Sequence, residues 1–155
     1  MDHAGAVHLD TARARTVATA YRDPVFLDDL FRGLRRRRDG RWAQRCAGEV
    51  NFLRLDSGHA AADDRVIVVF TSLDFATETL AYAGTGARRF EPARLRFCES
   101  GRLYHALGGR LGPWGLLGAP VAHALSSHLT FGAGGAALAW RGETHAVPPV
   151  DFDAD

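Results

Sequence analysis

The sequence predicts an α+β domain of mostly antiparallel strands, and three observations predict it. Strand-like segments outnumber helical ones along the chain. Only two segments carry the three- and four-residue apolar spacing of a packed helix, and each opens on a proline, Pro24 or Pro120. The order of elements early in the chain also returns near its end. With 155 residues, 46% of them hydrophobic and 24% charged, the chain has the length and composition of one globular domain. That domain is expected to span 1–155, with a first repeat at about 5–55, central strands at about 64–91 and a second repeat at about 94–149.

Taken in order, Gly5 to Leu9 reads as a short strand, and Thr11 to Tyr21 follows neither period. Asp23-Pro24 is a helix start: the carboxylate caps open amides, and proline at the first position loses no hydrogen bond. The stripe of Leu27, Leu30, Phe31 and Leu34 carries that helix to about Arg36, and Asp39-Gly40 turns the chain. Trp42 to Ala47 and Val50 to Leu55 form two strands across a turn at Gly48. Ala60 to Asp64 reads as a surface loop. Val66 to Thr71 has the β-branched content of a central strand, with Thr79 to Ala83 returning beside it. Leu95 and Phe97 lead through Glu99-Ser100-Gly101 into Leu103-Tyr104-His105 as a hairpin. Gly108 to Gly115 reads as a mobile loop, with Trp114 as a core plug or a lid. The second helix is expected over Pro120 to Leu129, and a last hairpin pairs Ala136 to Trp140 with Thr144 to Val147 around Gly142-Glu143.

One ungapped shift places Gly5 on Gly101, Val7 on Leu103, Pro24 on Pro120 and Val25 on Val121, and Gly142-Glu143 echoes Gly48-Glu49. The expected architecture is therefore two strand–helix–β-hairpin repeats with approximate twofold symmetry around a β-rich central segment. A groove is expected between the halves. Polar residues in one copy without polar counterparts in the other are the places to seek function; Asn51 and Arg54, set against Val147 and Pro149, are two of them.

Asp2-His3-Ala4-Gly5 to Asp10, Arg22 to Leu27, Cys46 to Arg54 and Gly101 to His105 together resemble uncharacterised protein family 0598, also known as domain of unknown function 4505. The stretch from Cys46 to Arg54 is the most specific part. The layout is also similar, more faintly, to domain of unknown function 1285, for which ligand sensing has been suggested. The resemblance implies a mitochondrial setting, with the cytoplasm as the alternative, and it brings no activity, cofactor or catalytic residue. The family's aromatic strand ahead of Asp2 and a presequence are absent here, so the first strand is expected to be shortened.

Charge excludes little and directs attention to clusters. Net charge is +1, and all 19 cations are arginine, so no global field drives the chain towards nucleic acid or acidic membranes. Arg32, Arg35, Arg36, Arg37, Arg38, Arg41 and Arg45, with Trp42 among them, form the densest patch. It is read first as a solvated helix end, and second as an anion or nucleic-acid surface with a base on the indole. Cys46 and Cys98 form no C-x-x-C pair, which favours a reducing compartment. No apolar run is long enough to span a membrane, and Met1-Asp2-His3 starts no signal peptide, so a soluble protein is expected.

Strand alternation puts Cys46, Phe52 and Arg54 with Val50 on one side of the first hairpin, and Glu49 with Asn51 on the other. Glu49, Asn51, Arg54, Tyr104 and His105 are the ligand-binding candidates. His123 and His128 are spaced off a single helix face, His145 falls in the late hairpin, and no metal-ligand spacing occurs, so neither a metal nor a cofactor is expected. No G-x-S-x-G elbow surrounds Ser126 and Ser127. The leading reading is a non-enzymatic domain that binds a small molecule or a protein partner. An RNA-associated protein using the Arg32 to Arg45 patch is the alternative, and a hydrolase with Glu49, Asn51 and His105 converging is a second one.

Overall fold

The computed structural model describes residues 1–8, 20–21, 23–46, 48–56, 65–132 and 135–152. Helix α1 (Pro24–Gly33) begins where the Asp23 carboxylate accepts the Phe26 N–H at 2.8 Å and Pro24 presets the first-turn geometry. It ends at Gly33, short of the expected Arg36. Leu34 is extended and buried, and Arg35–Arg36 forms strand β1. Past Leu34 the arginines offer no apolar side chain to a core, so pairing with a neighbouring strand satisfies their backbone instead. The open helix carbonyls of Phe31 and Leu34 accept hydrogen bonds from Arg110, the one to Phe31 at 2.9 Å.

Strands β2 (Trp42–Cys46) and β3 (Glu49–Leu53) complete a three-stranded antiparallel sheet in the order β1-β2-β3. β4 (Val68–Phe70) follows, then β5 (Ser72–Asp74), β6 (Thr79–Tyr82) and β7 (Gly86–Arg89), which form a second antiparallel sheet. β8 (Leu95–Phe97), β9 (Leu103–Ala106) and β10 (Trp114–Leu117) join β4 in the order β4-β10-β9-β8. Helix α2 (Ala119–Ser126) leads into a fourth sheet, β11 (Leu129–Gly132), β12 (Gly135–Trp140) and β13 (Glu143–Val147). The architecture is thus mostly antiparallel sheet with two α-helices among the described residues, and no helix there is long and apolar enough to cross a membrane.

Several expectations are corrected. The β-branched segment is buried from Val66 to Phe70, yet β4 lies at the end of its sheet and pairs parallel with β10 rather than sitting between two strands. The return strand β6 pairs with β5 and β7, because the chain runs from Phe70 directly into β5, with the Thr71 N–H donating to Ala81 O at 2.9 Å. Gly108 to Gly115 is no mobile loop. Leu107 N–H donates to Pro113 O at 2.7 Å, and from Trp114 the chain enters β10, the strand that joins β4 to β9. Trp114 is half-buried, its indole N–H donating to Asp151 O at 3.2 Å. Leu129 belongs to β11 rather than to the second helix. Near the N-terminus the described residues pair only in isolated bridges, Val7 with Tyr21 and Asp2 with Asp56, while Gly5 lies in a turn closed on Asp2. Leu9 to Thr19 and Ala60 to Asp64 fall outside the described residues.

A file of rings crosses the core. Phe31 meets Tyr82 at 6.3 Å, Tyr82 meets Phe70 at 5.7 Å, and Phe70 meets His105 at 6.1 Å. His105 meets Phe90 at 5.6 Å, which meets Trp140 at 4.8 Å. Such pairs contribute about 0.5–1.5 kcal/mol each beyond the area they bury. At the far end the Trp140 indole N–H donates to Glu78 Oε1 at 3.0 Å, and Arg141 Nε reaches the same oxygen at 3.0 Å. In the middle, Phe70 rests on the bare backbone of Gly115: a Cβ there would lie 2.4 Å from Phe70 Cε2. Gly115→Ala is therefore expected to cost about 1–3 kcal/mol in urea unfolding, as overpacking does. Gly132→Ala, whose Cβ would meet nothing within 4 Å, should change stability by less than about 0.5 kcal/mol. Equal effects of the two would refute the seat.

Candidate functional site

Between helix α1 and the inner face of the β2–β3 hairpin lies a cavity of about 330 Å³. Phe26, Asp29 and Leu30 of the helix form one wall; Gln44, Cys46, Asn51 and Leu53 form the facing one, with Phe52 at its border. Val7, His8 and Tyr21 close a side, with the Tyr21 ring stacked on Phe26 at 5.0 Å and 29°. The strand register explains the facing wall. Gln44 pairs with Asn51 and Cys46 with Glu49, and directly opposed residues share a face. Cys46 therefore belongs with Glu49 and Asn51, not with Val50 and Phe52 as alternation alone suggests, because the turn at Gly48 brings it opposite Glu49.

Gln44 is the unusual member. It is only 9% exposed, and its amide makes no hydrogen bond with any described residue. Its side chain lines the cavity, where a bound molecule can reach the amide. Gly33 of helix α1 makes room for it: a Cβ on Gly33 would lie 2.7 Å from Gln44 Cγ. Beside the cavity, His8 Nε2 lies 3.1 Å from Asp2 Oδ2. Burial pulls the Asp2 carboxyl upward, but hydrogen bonds from Ala6 N–H, His8 and Ala4 N–H outweigh it and hold the group below the usual carboxylate range. The Cys46 thiol is free and exposed, whereas Cys98 is buried against Ser100.

Among the candidates read from sequence, Asn51 lines the cavity, and Glu49 lies exposed at the hairpin turn opposite Cys46. Arg54 lies just past β3, its carbonyl accepting from the Met1 amino group at 2.6 Å. Tyr104 and His105 do not line a groove: both are buried in β9, the Tyr104 ring edge-on to Phe152 at 5.1 Å. Nε2 of His105 is engaged with the backbone of Glu91, 3.0 Å from its N–H and 3.2 Å from its oxygen, so this ring is a core element apart from Glu49 and Asn51.

The arginine patch also differs from expectation. Trp42 is 2% exposed, so no base can stack on its indole; the exposed ring nearby is Phe52, with Arg41 at 4.4 Å and Arg37 at 5.8 Å above it. Asp39 accepts from Arg41 at 2.7 Å and pairs with Arg37, while Arg36 donates to Gly40 O and Arg35 to Arg32 O and Leu34 O. Arg38 is exposed in the turn. Among the described residues no three His, Cys, Asp or Glu side chains gather to hold a metal ion.

Gln44, Tyr21 and Phe26 escaped the sequence reading. Gln44 was within reach of it, since it alternates with Trp42 on a strand whose inward positions should be apolar. Tyr21 and Phe26 flank the helix start and meet only through the fold.

A family model described as a domain of unknown function (DUF4505) matches residues 1–149. No solved structure matches the chain.

His105 yields a pH dependence. Desolvation lowers its pKa below the ordinary imidazole value, outweighing the carbonyls of Ala106 and Glu91. A depressed histidine is neutral in both states at high pH, and the unfolded chain takes the proton first as pH falls. Stability should therefore drop once pH falls below about 6.5. His105→Gln should show a flatter urea midpoint between about pH 8 and pH 5.5 than the parent. Parallel profiles would exclude this cause.

Proposed function

We propose that this chain, which belongs to the family of domain of unknown function 4505, is a ligand-binding domain whose site is the cavity between α1 and the β2–β3 hairpin. The observation that carries the reading is the buried Gln44 amide, without a partner among the described residues, at the wall of a cavity sized for a small molecule. The reading is non-enzymatic: His105, the imidazole expected to converge with Glu49 and Asn51, is occupied in the core.

The internal repeat supports the choice of half. In each half a helix with proline in its first turn precedes a three-stranded antiparallel sheet whose second turn is Gly-Glu. Taking these as copies of one unit sets Gln44 against Leu138, Asn51 against His145 and Cys46 against Trp140. In the second unit buried Leu138 and Trp140 place apolar bulk at the positions that carry Gln44 and Cys46 in the first. The site then lies within one unit, rather than in a groove between the two.

A library of metabolites, screened by thermal shift, should contain compounds that raise Tm and slow alkylation of Cys46, the exposed thiol at the cavity wall. Ligand at about 100 times its Kd stabilises by about 2.7 kcal/mol. Gly33→Ala, which displaces Gln44, should weaken the same compounds. A library that moves neither Tm nor the alkylation rate would end the reading.

A second reading, single-stranded RNA binding, is favoured by the exposed Phe52 ring under Arg37 and Arg41. Asp39 offsets part of that charge. It predicts binding whose log–log salt slope is about −0.7 per phosphate contacted, made shallower by Arg41→Ala. Salt-insensitive or undetectable binding would remove it.

A further inference from the structure

We propose that the ligand of this cavity is a flat, uncharged heterocycle with an amide-like edge, of the nucleobase class; the inference rests on the cavity reading above. Gln44 and Asn51 stand directly opposite each other in the strand register and both line the cavity. Neither amide is hydrogen-bonded to a described residue. Each carries one acceptor oxygen and two N–H donors, so the pair offers a doubled donor–acceptor edge, the arrangement that reads the edge of a base bidentately. Gln44 is nine-tenths buried, which fixes its amide towards the cavity and leaves it few alternatives.

The remaining walls narrow the class. Tyr21 stacked on Phe26, with Leu30 and Val7, makes an aromatic and aliphatic surface suited to the face of a planar ring. No arginine lines the cavity among the described residues; the carboxylates in or beside it are already paired, Asp29 with Arg32 at 3.3 Å and Asp2 with His8. A carboxylate or phosphate ligand would therefore find no arginine on the wall, among the described residues, to pair with. A plain hydrocarbon would leave the Gln44 amide unpaired. A sugar would bury hydroxyls against apolar walls that cannot bond them. A neutral heteroaromatic ring with an N–H and C=O edge satisfies all three constraints.

The test titrates the full chain with adenine, guanine, cytosine and uracil, and separately with 1-methylnaphthalene, a flat ring without a hydrogen-bonding edge. Calorimetry is paired with protection of Cys46 from alkylation. At least one base should bind and protect Cys46. Gln44→Met and Asn51→Leu should each weaken that base tenfold or more while changing 1-methylnaphthalene by less than about threefold. Binding of 1-methylnaphthalene with no base bound, or a base indifferent to both substitutions, overturns the inference and leaves the cavity reading standing. If neither class protects Cys46, the inference fails. Should the metabolite library also give no protection, the cavity reading fails with it.

Discussion

The seat of Phe70 on Gly115 is the contact on which the other parts depend. It sits where β4 and β10 run parallel, the one parallel pairing among the named strands of the described residues. A parallel pair needs a long crossover, and here nearly the whole middle of the chain, β5 to β9, lies between the two strands. Bringing β10 back beside β4 therefore closes the central structure. The absence of a side chain at Gly115 lets the Phe70 ring lie on the strand and touch Tyr82 on one side and His105 on the other. From there the file of rings reaches α1 through Phe31 and β12 through Trp140.

That arrangement explains why the two ends of the molecule can differ. Around Trp140 the contacts are aromatic: Phe75, Phe90 and His128 surround the indole, and Glu78 takes its N–H. Hydrogen bonds from Trp140, then the charges of Arg141 and Arg89, hold the Glu78 carboxyl below its ordinary range against the opposing pull of desolvation. At the other end α1 is pinned by its far contacts, with Asp28 accepting from the Thr85 N–H and hydroxyl, and Arg110 covering the open carbonyls. A helix held at its middle and its C-terminal end can stand over the β2–β3 hairpin without filling the space beneath it. Gln44, Cys46 and Asn51 then line that space.

Much of the fold was legible because short-range chemistry speaks locally. Asp23-Pro24 marked a helix start, the stripe of Leu27, Leu30 and Phe31 marked its buried face, and Gly48 and Gly142 marked hairpin turns. The segments misread were those whose state depends on remote partners. Gly108 to Gly115 looked like a loop because its glycines carry no periodic signal, and the strand there exists because β4 and β9 flank it. The arginine run looked like a helix end because four cations suit a helix dipole; the pairing with β2 decided otherwise. Of the candidate site, Asn51 was legible as a polar residue in an apolar strand. Tyr104 and His105 looked equally polar, and burial removed both.

The sequence by itself determined the class of the fold, the two proline-opened helices and the hairpins, because capping, turn geometry and hydrophobic period act over a few residues. It also carried the family membership, through the ordered segments from Asp2 to His105. Only the tertiary structure decided which face of the first hairpin is closed by α1, that Cys46 shares that face with Asn51, and that Trp42 is a core residue rather than a surface for a base. The physical reason is that burial is a property of what packs against a residue, and Gly33, Gln44 and Tyr21 meet through elements far apart in the chain. A polar side chain reads the same in sequence whether it faces water, a hydrogen-bonded core or a cavity; the enclosure around it sets which.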